Sequence, residues 1–164
     1  ALGLILGFLP YFPFTKHAHL FMGPLNYMVK AERTSMAALE TIDFEDDSID
    51  QFGAGQLGHL PQSQILDAYA CIQCSRCQDA CPAYETGKEL SPSALEINKR
   101  YFLNSHLDEF INGSIPDAAI TDILLTDEAA WSCTTCGYCV EVCPVGNEPM
   151  LDLSLIHISE PTRR

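Results

Sequence analysis

Each of the eight cysteines in this chain belongs to one of two copies of the same run. The first is Cys71, Cys74, Cys77 and Cys81 followed by Pro82, and the second is Cys133, Cys136, Cys139 and Cys143 followed by Pro144, both spelling C-x2-C-x2-C-x3-C-P. Three thiols at i, i+3 and i+6 can converge from one tight loop and turn. Such a run is an iron–sulfur signature, and where it is doubled the fourth cysteine of each copy ligates the other cluster. The proline has no N–H to donate and a fixed φ, so it turns the chain away just after the last ligand. The sequence therefore predicts two 4Fe–4S clusters with crossed ligation, and all eight cysteines as metal ligands.

Other uses of the cysteines fit less well. A disulfide framework suits small secreted domains, and nothing in the sequence reads as a secretory signal with a cleavage site. Zinc modules use separated C-x2-C pairs, not three ligands at spacing three followed by a fourth and a proline. Inside the loops, Ser75, Arg76, Gly137 and Tyr138 are candidates for shaping the field around the sulfurs, which would tune potential, although Arg76 and Tyr138 read equally well as surface or packing residues.

The 51 residues between Cys81 and Cys133 decide what kind of scaffold carries the motifs. Ser91-Pro92 reads as an N-cap followed by proline at the first helical position, with Ala94, Leu95, Ile97, Tyr101 and Phe102 at helical spacing behind it. Asn112-Gly113 closes a short helix, Pro116-Asp117 opens another, and Thr126 caps the turn that carries Ala129, Ala130 and Trp131 into Cys133. Short β-hairpins between motifs would not need so long an insert. A helical scaffold does, and the fold class expected is mainly α.

CIQCSRCQDACPAYETGKELSP and WSCTTCGYCVEVCPVGNEP resemble the α-helical, two-cluster ferredoxin module of heterodisulfide-reductase-like iron–sulfur oxidoreductases. They are also similar to modules of anaerobic glycerol-3-phosphate dehydrogenase and succinate dehydrogenase. The resemblance covers about residues 56 to 151, with Ser75 standing where such proteins often have glycine. It implies an electron wire in which Cys71, Cys74, Cys77 and Cys143 hold one cluster, and Cys133, Cys136, Cys139 and Cys81 the other.

The opening of the chain is of a different character. Ala1 to Leu9 is almost wholly apolar, yet a spanning helix needs about 20 residues. With alanine and no methionine at its head, the run is expected to be the end of a longer membrane helix. Pro10-Tyr11-Phe12-Pro13-Phe14 reads as a membrane–water interface, and Lys16, Lys30 and Arg33 on the exit side predict that the following part lies in the cytoplasm. PFTKHAHLFMGPLNY, residues 13 to 27, resembles the segment ending the last membrane helix of cytochrome b subunits like the gamma subunit of respiratory nitrate reductase. That resemblance implies a haem b with His19 as an axial ligand, the second coming from an upstream helix; His17 is a weaker candidate. It also implies fusion of a cytochrome domain to the ferredoxin module and continuation into cysteine-rich CCG domains. His59 and His106 read as ordinary surface or packing residues.

Glu40, Asp43, Glu45, Asp46, Asp47 and Asp50 then form an acidic stretch followed by Gly53, Gly55 and Gly58. A solvated linker is the plain reading, and a docking surface for a basic redox partner the sharper one. A formal net charge of −13 argues against nucleic-acid binding. GAGQLG at residues 53 to 58 is a poor dinucleotide fingerprint, because no strand precedes it and Pro61 follows closely. From Leu153 to Arg163, LSLIHISEPTR resembles the in-frame translation of a common transposase sequencing adapter, which implies that residues 153 to 164 stand outside fold and function.

The organisation expected is thus residues 1–36 as the end of a cytochrome b-like membrane domain, 37–58 as linker, 59–152 as an α-helical ferredoxin domain and 153–164 as an appendage. No glycine-rich phosphate loop, nucleophile–base arrangement or paired-carboxylate motif accompanies the cysteines, so any catalytic domain is expected elsewhere in a longer protein. The function expected is electron transfer within a membrane-bound respiratory oxidoreductase, between a quinone- or haem-linked membrane part and a redox partner or downstream domain. The alternatives are a soluble carrier or dissociable subunit, and a zinc-stapled interaction module.

Overall fold

The computed structural model describes residues 2–30, 38–39, 41, 45 and 51–159. Most of the acidic stretch, and Arg33, lie outside the described residues, so the linker and docking-surface readings do too. Among the described residues the chain is helical and has no strand; one isolated antiparallel bridge joins Gln56 to Ala119.

Helix α1, Leu2–Tyr11, leaves Leu2, Leu4, Ile5, Leu6, Phe8 and Leu9 exposed. Among the described residues no helix is long and apolar enough to cross a membrane. Two 3-10 turns then reverse the chain, with Thr15 Oγ1 donating to Phe12 O at 2.8 Å and Phe12 edge-on to both Phe8 and Phe21. An Arg100 N–H donates to Thr15 O at 2.6 Å and fastens this corner to the helical body. Helix α2, His19–Val29, returns along α3, Gln62–Ala70, and packs against it.

Two very short helices, α4 (Arg76–Asp79) and α5 (Pro82–Glu85), follow the first cysteine loop. The central helix α6, Pro92–Ser105, begins as its sequence dictates: Ser91 Oγ accepts the Ala94 N–H at 3.1 Å, and Pro92 occupies the first helical position, where a missing N–H costs nothing. Helix α7, Leu107–Ile111, ends at Asn112, and Gly113 at φ +75° lets the chain turn off it. Helix α8, Ile120–Ile123, starts later than Pro116-Asp117 suggests, because Ala119 is extended in the bridge to Gln56. Ile120 N–H donates to Gly55 O at 2.9 Å, so the backbone just ahead of α8 is used to tie down the segment before α3. Helix α9, Asp127–Trp131, is capped by Thr126 Oγ1, which accepts the Ala129 N–H at 3.2 Å. Helix α10, Tyr138–Glu141, follows the second cysteine loop, and α11, Pro149–Ser159, closes the body.

Leu57, Leu90, Leu95, Ile120, Leu124, Leu153 and Ile156 make the core between these helices. Helix α11 runs through position 153 without a break, and Leu153 and Ile156 are 1% and 2% exposed. Ala54 N–H donates to Leu155 O at 3.0 Å, and the His157 ring stacks on Trp131 at 4.8 Å. Residues 153–159 therefore pack, in contrast to the expectation that the segment stands apart. Four apolar residues, Leu153, Leu155, Ile156 and Ile158, continue a helix that is covered on most sides and seat it on the core, whatever their origin. Leu153→Ala should lower stability by at least about 2 kcal/mol, read from denaturation midpoints at equal iron content. An unchanged midpoint would return the segment to the status of an appendage.

Candidate metal centre

The two cysteine loops share one backbone. In the first, Gln73 and Ser75 have φ of 57° and 61°; at the same places in the second, Thr135 and Gly137 have 51° and 77°. Two left-handed residues in each loop fold three thiols inward. They also aim matching amides at the first sulfur: Gln73 N–H donates to Cys71 Sγ at 3.4 Å and Thr135 N–H to Cys133 Sγ at 3.3 Å. Ser75, the departure from glycine, thus occupies a conformation that glycine adopts without strain. The third cysteine of each run lies on a four-residue helix, Cys77 on α4 and Cys139 on α10, and these two helices pack together. That contact brings the runs face to face.

Two cavities result. One, of about 370 Å3 and open to solvent, is lined by Cys71, Cys74, Cys77, Cys139 and Cys143, with Glu96 and Asn147 on its wall. The other, of about 280 Å3, is lined by Cys81, Cys133, Cys136 and Cys139 between Leu90, Ala83 and Met150. Each takes three cysteines from one run and is completed from the other, by Cys143 and Cys139 in the first and by Cys81 in the second. Thiols of the two runs repel one another across the contact: Cys143 acts on Cys71 and Cys77, Cys81 on Cys133 and Cys139, and Cys139 also on Cys77.

Among the described residues no group of three or more histidine, cysteine or acidic side chains converges on a point that would hold a single ion. The thiols instead ring two spaces. Tetrahedral zinc requires its sulfurs at about 2.3 Å from one centre, whereas a cube presents its irons at corners. All eight cysteines are free thiols, so the full donor set of two cubes is in place. Burial pushes Cys71 up to about 11 and Cys77 and Cys139 up to about 12, with neighbouring thiols adding to it. Burial also raises Cys133 and Cys143. At these five sulfurs burial favours the neutral thiol, and metal loading must displace the proton.

Behind the first cavity lies a polar network that sequence reasoning missed. Asp67, 1% exposed, accepts from Asn26 Nδ2 at 2.6 Å and from the Glu148 N–H at 2.9 Å, and pairs with Lys30 Nζ at 2.8 Å. Its backbone carbonyl accepts from Asn147 Nδ2 at 2.6 Å and from the Cys71 N–H at 2.9 Å. Deeper in, Lys99, fully buried, lies 3.0 Å from Glu96 and is hydrogen-bonded to Asp152. Burial drives Glu96 above the ordinary carboxylate range, with Lys99 opposing, and drives Asp152 upward as well. For Lys99 burial acts downward, but Asp152 and Glu96 outweigh it and hold the ammonium charged. The only sequence signal for these groups is their coincidence with helix positions that face the core.

The other candidates are dispersed. Arg76 and Tyr138 are exposed, with Arg76 at the rim of the first cavity. His19 is half-buried at the head of α2, and His17 lies exposed beside the Phe8 and Phe12 rings. His59 Nδ1 accepts from the Gln56 N–H, and His106 stacks on Phe102, both packing roles.

Residues 67–147 match the family described as 4Fe-4S dicluster domain. The chain carries a 4Fe–4S dicluster domain. With eight cysteines so arranged, that domain holds two 4Fe–4S clusters and works in electron transfer. The chain is 37% identical over 180 residues to the probable iron–sulfur-binding oxidoreductase FadF of Bacillus subtilis, covering 88% of this chain and 25% of that protein. It is 29% identical over 160 residues to the EtfAB:quinone oxidoreductase of Syntrophomonas wolfei, covering 84% and 22%. It is 32% identical over 123 residues to a probable membrane-anchored ferredoxin of Chromohalobacter salexigens, covering 65% and 18%. The chain thus spans a quarter or less of these relatives. No solved structure matches it. The dicluster match begins within α3 and ends at residue 147, before α11 starts, so both α2 and α11 lie outside it.

Proposed function

We propose that this chain is the dicluster part of a membrane-bound iron–sulfur oxidoreductase of the heterodisulfide-reductase-like kind. It would lie on the cytoplasmic side and exchange electrons with a quinone- or haem-linked membrane part and a redox partner or CCG-type domain. The observation that carries this reading is the pair of cavities ringed by thiols from both cysteine runs. Bound clusters supply one-electron acceptance and donation; the chain supplies ligation, burial and tuning.

In this assignment Cys71, Cys74, Cys77 and Cys143 hold the first cluster, and Cys133, Cys136, Cys139 and Cys81 the second. The walls differ: Glu96 and Asn147 make the first partly polar, while Leu90, Ala83 and Met150 make the second apolar. Hydrogen bonds to sulfur raise potential, and Asn147 N–H donates to Cys143 Sγ at 3.2 Å in addition to the two loop amides. The membrane side of the proposal is supported by the exposed apolar residues of α1 and by the similarity to a quinone oxidoreductase and a membrane-anchored ferredoxin. His19 is proposed as an axial ligand of haem b, on the resemblance of its segment to cytochrome b subunits.

Anaerobic reconstitution of the whole chain should give about eight irons per chain and a brown protein. A colourless protein with about two zincs would overturn the reading.

A further inference from the structure

We propose that helix α2 backs the loop that walls the first cluster's cage, with Asn26 and Lys30 as positioning residues that hold the Cys143 loop and tune that cluster selectively. The inference rests on the proposed assignment of Cys143 to the first cluster. It extends the electron-transfer unit to a helix that the dicluster match does not include.

One face of α2 is fitted to the loop after Cys143. Asn26 is fully buried, and its Nδ2 lies within reach of Asp67 Oδ1 at 2.6 Å, Asn147 Oδ1 at 3.3 Å and Val145 O at 3.4 Å. Tyr27 Oη donates to Pro144 O at 3.3 Å. Lys30 Nζ donates to Gly146 O, pairs with Asp67 at 2.8 Å and stands 3.1 Å from Glu148. Gly146 has φ +69°, and a Cβ there would come within 2.8 Å of the Tyr27 ring, so only glycine lets loop and helix meet this closely. Gly23 meets Val145 on the same face, at 3.7 Å from a notional Cβ. Four consecutive residues of the loop, Pro144 to Asn147, are therefore held from α2, and the Asn147 N–H in turn points at Cys143 Sγ.

Asp67 links both ends of the site. Its carbonyl receives the Cys71 N–H, and its carboxylate receives Asn26, Lys30 and the Glu148 N–H. A displacement of α2 is thus felt at Cys71 and Cys143 together, two of the four thiols of the first cavity. The second cavity has none of the α2 partners in its lining.

Charge gives the sign. A cube bound by four thiolates is anionic, and reduction adds one more negative charge, so a nearby cation favours the reduced form. The Lys30 side chain is 13% exposed, which limits screening by salt. Its removal also leaves the Asp67 and Glu148 carboxylates without their ammonium.

The test is a potentiometric titration of the anaerobically loaded full chain, followed by electron paramagnetic resonance, for wild type, Lys30→Met and Lys30→Arg. Cys143→Ser, run in parallel, identifies which signal belongs to the first cluster and separately exposes a wrong ligand assignment. Lys30→Met should move the first cluster's midpoint downward and leave the second in place, and Lys30→Arg should restore most of the shift. Equal movement of both midpoints, or none with iron intact, would overturn the proposal. Should Lys30→Met lose iron, Lys30→Gln removes the charge but keeps a donor for Gly146 O. Loss confined to the first cluster then supports the positioning role, and loss of both overturns it.

Discussion

Cys143→Ser should remove or convert the first cluster and leave the second with its iron and its spectrum. A serine oxygen is a poor replacement for a thiolate on a soft iron–sulfur site. Cys143 lies with Cys71, Cys74 and Cys77 around one cavity, although 66 positions separate it from Cys77, the nearest of them in the chain. Iron should fall from about eight to about four per chain, or to an intermediate figure if a three-iron species survives. Cys81→Ser should give the mirror result, sparing the first cluster. Loss confined to the cluster of Cys133, Cys136 and Cys139 in the Cys143 variant would mean that each run serves its own cluster.

Lys99→Met should destabilise the iron-loaded chain by about 3–5 kcal/mol, the range for stripping one partner from a buried ion pair. Methionine is unbranched and one atom shorter than lysine, with a bulky sulfur that keeps the volume similar, so the loss is mainly one of charge. Two carboxylates, Glu96 and Asp152, then share a fully buried space with no cation of their own. Protonation relieves them. The effect should accordingly be largest above neutral pH and shrink as pH falls, because both acids already have raised affinity for a proton in the native fold. Combining Lys99→Met with Glu96→Gln and Asp152→Asn should recover much of the loss. Denaturation midpoints at several pH values read this directly, and a change below about 1 kcal/mol at all of them would show that the triad is hydrated.

Much of the scaffold was legible because its signals are local. Ser91-Pro92 and Thr126 start α6 and α9 through hydroxyl caps that reach only three residues along the chain. Asn112-Gly113 ends α7 through a single left-handed residue. The start of α8 was misjudged because Asp117 and Ile120 answer to Gln56 and Gly55, more than 60 positions away, and no local rule carries that information. The apolar spacing of α6 named Ile97 and Tyr101, yet Tyr101 is 64% exposed while Glu96, Lys99 and Arg100 are buried. Charged residues read as a solvated face unless their partners are known, and those partners come from α11, α3 and the turn before α2.

The sequence by itself determined the donor set, the cluster type and the helical class, since spacing along one loop and a cap at one helix end are properties of neighbouring residues. The motif already pointed to crossed thiols, and the tertiary structure supplied the means by which the two runs meet, the packing of α4 on α10. It alone placed Asn26 and Lys30 behind Cys143, and it alone seated residues 153–159 on the core. These are encounters between distant segments, governed by which buried charges and apolar surfaces can satisfy one another at once. That condition has no period or motif in the chain.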